Sequence, residues 1–142
     1  MATERILVQS SILPAFREAL KKATGTIFPA SNPGIVILPM AVEKNKRLIN
    51  DALSKGAKVI HGDPSIEEST NTRMAPIIVE GVKKDMDLYY TESFGPSVSL
   101  VPFDKEEEAI EIANDTEYGL NGAVFTESLA RGLRVAKQIE VG

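Results

Sequence analysis

The sequence predicts an α/β protein, an open sheet with helices on its faces, and three observations carry that prediction. Apolar runs of strand length (Ile6-Leu7-Val8, Ala57-Lys58-Val59-Ile60, and Ser97 to Phe103) alternate with stretches whose apolar residues recur every three or four positions. The passage from about Val42 through Gly56 to Ile60 reads helix, glycine, strand, which is the spacing of an α/β unit. No internal repeat or low-complexity linker interrupts the 142 residues, so residues 1–142 read as a single domain.

Arg5 to Gln9 reads as a short buried strand, because Ile6-Leu7-Val8 is apolar and β-branched at its ends. Ser10 or Ser11 then caps a helix with Pro14 in its first turn, where a missing N–H costs little. Phe16, Leu20 and Ala23 share one face of it, and Gly25 is the stop. Pro29, Pro33 and Pro39 interrupt the next stretch, within which Gly34 to Leu38 reads as a strand or apolar run. A helix from about Val42 to Lys55 turns Leu48, Ile49, Ala52 and Leu53 inward and ends at Gly56. Strands at Ala57 to Ile60 and Ala75 to Val79 follow, and then a turn or short helix from Val82 to Met86 carrying solvated Lys83 and Lys84.

Ser97 to Phe103 alternates Ser97 and Ser99 against Val98 and Leu100, the pattern of a strand with one better-buried face. Asp104 and Glu107 form a capping box for a helix that faces Ala109, Ile110 and Ala113 inward. Glu106, Glu107, Glu108 and Glu111 are acids of the kind a helical first turn favours through its dipole, and they read as a solvated face and not a metal site. Asn121 to Phe125 reads as a last strand, and Leu129, Leu133, Ala136 and Ile139 as the inward stripe of a last helix.

Composition narrows the function classes. A net charge of −4 with both signs interspersed argues against nucleic acid or an anionic membrane as partner. No transmembrane run or secretory segment is present. The absence of cysteine excludes disulfides, thiolate catalysis and cysteine metal sites within these residues, and it fits a cytoplasmic protein. One histidine is too few for the usual zinc sites, so no metal is expected.

The one chemically specific stretch is Thr91-Glu92-Ser93-Phe94-Gly95-Pro96. Glu92 and Phe94 are two apart, so an extended lead-in points them the same way, and Gly95-Pro96 redirects the chain. Such a pair can clamp a ribose-like or carbonyl-bearing ligand; a loop with a solvated Glu and a core Phe is the plainer alternative. His61, beside Asp63, is a second acid/base candidate set against a simple strand-end histidine. Tyr89 and Tyr90 lead into the turn, either with a hydroxyl reaching a ligand or as core packing with a wet tip.

Glu92-Ser93-Phe94-Gly95-Pro96, the strand after it, Glu107 to Asn114, and Glu117-Tyr118-Gly119-Leu120-Asn121-Gly122-Ala123-Val124-Phe125-Thr126 together resemble the aldehyde dehydrogenase superfamily in order and spacing. Ala2-Thr3-Glu4-Arg5-Ile6-Leu7-Val8 and Ser54-Lys55-Gly56-Ala57-Lys58-Val59 extend the resemblance over nearly the whole chain, which is similar in flavour to fungal salicylaldehyde-type dehydrogenases. The resemblance implies a slice of the catalytic domain. It also implies that the thiolate nucleophile falls immediately before Met1, and that the glycine-rich nucleotide-binding half, the general-base Glu and the oxyanion Asn lie upstream. By the same resemblance, Glu92 matches a residue that hydrogen-bonds the nicotinamide ribose and Phe94 one that lies beside the nicotinamide ring, so both carry over as vestigial cofactor contacts.

Three functions follow as expectations. The first is a repurposed, non-redox small-molecule enzyme of isomerase, cyclase, dehydratase or condensation type, with Glu92, His61 and Tyr90 as catalytic candidates. The second is a non-catalytic module that binds a small molecule or a protein. The third is a piece of a complete NAD(P)-dependent dehydrogenase. No cofactor is expected for the chain alone, and NAD only if a missing domain completes the site. Apolar surface and sheet edges left by absent domains need a cover, so a homo-oligomer, most simply a two-fold dimer, is expected.

Overall fold

Four strands form one open sheet in a computed structural model that describes residues 3–29, 31–32, 34–36, 38–66 and 70–142. Met1 and Ala2 of the resembling segment, Ile37 of the apolar run and residues 67–69 of the polar stretch lie outside the described residues. The elements run β1 (Arg5–Gln9), a 3-10 turn (Ser10–Ile12), α1 (Leu13–Ile27), α2 (Pro39–Ser54), β2 (Lys58–His61), β3 (Ile77–Glu80), α3 (Asp87–Tyr90), β4 (Ser97–Phe103), α4 (Glu106–Asn114) and α5 (Leu129–Ala136). The backbone divides into two compact units, Met1–Pro102 and Phe103–Gly142.

In the first unit the strand order is β1-β4-β3-β2. β3 pairs parallel with β4 (Ile77 opposite Ser97, Val79 opposite Ser99) and antiparallel with β2, with a register irregularity between Val59 and His61. Side chains alternate faces along a strand, so the two faces of β3 take separate layers. Ile77 and Val79 pack with Leu48, Ile49 and Ala52 of α2, together with Met74, Met86 and Leu88. Ile78 and Leu100 pack with Val8 against Leu13, Phe16 and Leu20 of α1. Glu80 takes the α1 side as well, where its carboxylate accepts from Arg17 Nε at 2.9 Å and Nη2 at 2.7 Å. This fork ties the helix to the sheet and raises the Arg17 pKa above its ordinary value.

Several element ends differ from the expectation. α1 continues through Gly25 to Ile27, because a mid-helix glycine costs only about 1 kcal/mol and the helical ladder carries on past it to the bond from Phe28 N–H to Thr24 O. No serine side chain caps this helix: the 3-10 turn leads into it and Ile12 takes the cap position, while Pro14 falls in the first turn as expected. Among the described residues, the apolar run beyond Gly34 makes no strand but an isolated bridge, Ile35 with Arg73. α2 begins at Pro39, three residues early, since proline suits a first turn; Leu53 is half-buried at the core's edge.

The second unit holds α4 and α5. Glu106 of α4 accepts from Arg134 of α5 through Nε and Nη2, both at 2.8 Å, which holds its carboxyl below the ordinary value. The back-reaching acid at the start of α4 is Glu108, bonded to the Asp104 amide at 2.9 Å, one position later than the Asp104–Glu107 pair expected. Asn114 clasps the C-terminal segment, donating to Gln138 O at 2.8 Å and accepting from Glu140 N–H at 3.0 Å. Two expectations fail here. Residues 121–125 form no strand, because among the described residues none pairs with them, and Phe125 is 94% exposed. The Leu129 and Leu133 stripe of α5 is exposed instead of inward, since this unit contributes no sheet face beneath it.

Candidate functional site

The turn from Thr91 to Pro96 joins α3 to β4 and is held from two directions. From the N-terminal side, the Glu4 carboxylate accepts from the Ser93 amide through Oε2 and the Phe94 amide through Oε1, each at 2.9 Å. Glu4 is itself fixed, because its backbone oxygen accepts from the Ser99 amide at 2.9 Å. From α2, the fully buried Asn45 donates through Nδ2 to Ser93 O at 3.0 Å and to Ala41 O at 2.8 Å. Its Oδ1 accepts from Ser97 Oγ at 2.5 Å, so the buried amide is satisfied on both ends.

These bonds fix an unusual backbone. Phe94 sits at φ 50°, the one described non-glycine residue with positive φ. That conformation is uncommon for a bulky side chain and costs about 1–3 kcal/mol unless the surroundings enforce it. The sequence places the redirection of the chain at Gly95-Pro96, whereas the left-handed residue of the turn is Phe94. Gly95 is not at positive φ; it is glycine because an added Cβ would lie 2.7 Å from Asn45 Cγ and Oδ1. The left-handed Phe94 also breaks the extended alternation from which Glu92 and Phe94 were expected to point the same way. Phe94 is 60% exposed and is no core residue, and Glu92 is half-buried.

α2 positions the approach to the turn as well. Asp51 Oδ2 accepts from the Asp87 amide at 2.8 Å, capping the short α3, and pairs with Lys55 Nζ at 2.8 Å. The Lys55 contact, then the Asp87 amide, hold the Asp51 carboxyl below its ordinary value. Within α3, Tyr89 is buried and its backbone oxygen accepts from Arg5 Nη2, with the guanidinium 4.4 Å over the Tyr89 ring centroid. Tyr90 is 44% exposed, its ring edge-on to Tyr89 at 4.7 Å.

His61 ends β2 and lies near α1, its Cε1 3.9 Å from where a Cβ on Gly25 would stand. Asn45 lies on α2 and Ser97 lies opposite Ile77, on the α2 face of the sheet, whereas His61 lies opposite Ile78, on the α1 face. Asp63 accepts from Ser65 Oγ at 2.7 Å and N–H at 2.8 Å, which lowers its pKa and commits it to a local turn. Glu92, Phe94 and Tyr90 therefore fall within one five-residue segment, and His61 falls elsewhere. Among the described residues no group of three His, Cys, Asp or Glu is placed to hold a metal. A cavity of about 220 Å³ in the second unit, lined by Gly122, Val124, Gly132, Ala136, Ile139 and Val141, contains none of the candidate side chains.

Neither Glu4 nor Asn45 is among the site candidates that the sequence offers. Glu4 sits 89 residues from its partner and gives no local signal. Asn45 did carry one: with Leu48, Ile49 and Ala52 it occupies the i, i+3, i+4, i+7 stripe that is otherwise apolar.

The sequence model of the aldehyde dehydrogenase family matches residues 1–142. The chain belongs to the aldehyde dehydrogenase family. It is 38% identical over 148 residues to the mitochondrial succinate-semialdehyde dehydrogenase of Oryza sativa, covering 100% of this chain and 28% of the rice protein. Among solved structures it is similar to succinic semialdehyde dehydrogenase from Streptococcus pyogenes in complex with NADP+, with TM-score 0.87 and 31% identity over 98% of this chain and 32% of that one. It is likewise similar to salicylaldehyde dehydrogenase from Pseudomonas putida G7 complexed with salicylaldehyde, with TM-score 0.86 and 34% identity over 98% of this chain and 29% of that one. The two solved structures share the fold of 98% of this chain, while the chain spans less than a third of the length of each of the three relatives. No helix among the described residues is long and apolar enough to cross a membrane.

Proposed function

We propose that this chain supplies the nicotinamide-ribose side of an NAD(P)-dependent aldehyde dehydrogenase site, with Glu92 accepting from ribose hydroxyls and Phe94 lying along the nicotinamide. The observation that carries the reading is the turn itself. A bulky aromatic held at φ 50° and 60% exposed is a side chain presented to a ligand and not stored in a core. Glu92 precedes it by two residues, and four hydrogen bonds made by Glu4, Asn45 and Ser97 keep the segment in place. The cofactor supplies the hydride acceptor when bound. This chain's residues orient its ribose and ring. The thiolate that a thiohemiacetal mechanism needs is not among these 142 residues, which contain no cysteine. Succinate semialdehyde and salicylaldehyde, named for the relatives, are the aldehydes to test first.

In a second reading the chain by itself performs non-redox acid/base chemistry with the half-buried Glu92 at its centre. His61 lies across the sheet from Asn45 and Ser97, which weakens any three-residue set with Tyr90. Nicotinamide mononucleotide separates the two. The cofactor reading predicts saturable thermal stabilisation of the chain by the mononucleotide at concentrations on the order of millimolar, weakened in Glu92→Gln. Stabilisation by an aldehyde alone, with no response to the mononucleotide, would favour the second reading. We also propose a cytoplasmic homodimer built on the exposed Leu120, Phe125, Leu129 and Leu133 surface. A monomeric solution mass would contradict it.

A further inference from the structure

We infer that Glu4 is a positioning residue for the cofactor-contacting turn: its carboxylate fills the pair of amides at Ser93 and Phe94 and thereby sets the left-handed Phe94 backbone from which both contact side chains are aimed. Two successive backbone amides converging on one carboxylate make a small anion nest. Here the anion is internal, drawn from the segment just before β1, 89 residues away in sequence. Both oxygens are used, one per amide and at the same 2.9 Å, so the carboxylate's planar fork matches the nest. The bond from Ser99 N–H to Glu4 O is made by the backbone, so it survives any change of side chain. Substitution at Glu4 therefore removes the clamp without removing the strand contact beside it. Asn45 holds the turn through the Ser93 carbonyl and by its close approach to Gly95, whereas the Phe94 amide is bonded to Glu4.

The inference takes its functional meaning from the proposed cofactor reading, and its test is separate. Amide hydrogen exchange by NMR on the 142-residue chain is the measurement, made on wild type, Glu4→Ala and Glu4→Gln, each with and without sodium acetate. In Glu4→Ala the Ser93 and Phe94 amides should exchange roughly ten- to hundredfold faster, the loss expected for hydrogen bonds to a charged acceptor. Ile78 and Val79 in the sheet should be unchanged. Glu4→Gln keeps one carbonyl oxygen and should release one amide of the two, which preserves the test if the alanine variant fails to fold. Acetate should slow exchange again in Glu4→Ala by refilling the nest, an effect that loss of mere packing would not show. Unchanged exchange at Ser93 and Phe94, or an increase spread equally over Ile78 and Val79, would overturn the inference. Mononucleotide binding at a turn whose exchange ignores Glu4 would overturn the role of Glu4 and leave the cofactor reading standing; the opposite pair of results would do the reverse.

Discussion

At Gly95 the chain has room for a hydrogen and no more. A methyl group there would crowd the Asn45 carboxamide, which cannot yield without breaking its bonds to Ala41, Ser93 and Ser97. Gly95→Ala should therefore cost about 1–3 kcal/mol in urea unfolding, as overpacking does. Asn45→Ala removes the obstacle but strands the Ser93 carbonyl and Ser97 hydroxyl, and should cost about 2–3 kcal/mol. The two are coupled, so the double variant should cost less than the sum; strict additivity would refute the contact. Glu92 and Phe94 were legible in the sequence because they sit in a short motif, while the conformation that presents them was not. It depends on Glu4 and Asn45, which reach the turn through tertiary contacts 48 to 90 residues long.

At the level of elements, α2 is the brace. Its sheet-facing residues fill one core layer, Asn45 holds the turn, and Asp51 holds α3. Three carboxyls are more acidic than usual: Asp51 through Lys55 and the Asp87 amide, Asp63 through Ser65, and Glu106 through Arg134. A depressed folded-state pKa contributes stability that is present above the unfolded value and lost as pH falls through the folded one. Stability should thus decline on acidification below about pH 4. Asp51→Asn should be less stable at neutral pH and show a shallower acid decline, measured by unfolding at several pH values; curves parallel to wild type would contradict the assignment. β1 and β4 were readable to the residue, since an apolar run or clean alternation bounded by polar residues is a strand's own signature. Residues 121–125 carry comparable apolar content and form no strand, because a strand also needs a partner.

Across the whole molecule, a sheet covered on both faces in the first unit contrasts with a second unit whose described residues are all exposed or half-buried. The first unit has what a positioned site requires: the turn lies at the start of a central strand, anchored to the helix layer over it and to the segment that enters the neighbouring strand. Family membership accounts for the architecture. The assignment of the turn to a nicotinamide nucleotide is the central claim, and an NMR titration with nicotinamide mononucleotide tests it most directly. Saturable shifts should centre on the Glu92, Ser93 and Phe94 amides, with a dissociation constant on the order of millimolar that weakens about tenfold in Glu92→Gln. Resonances that stay in place there, or that move equally in Glu92→Gln, would contradict the account.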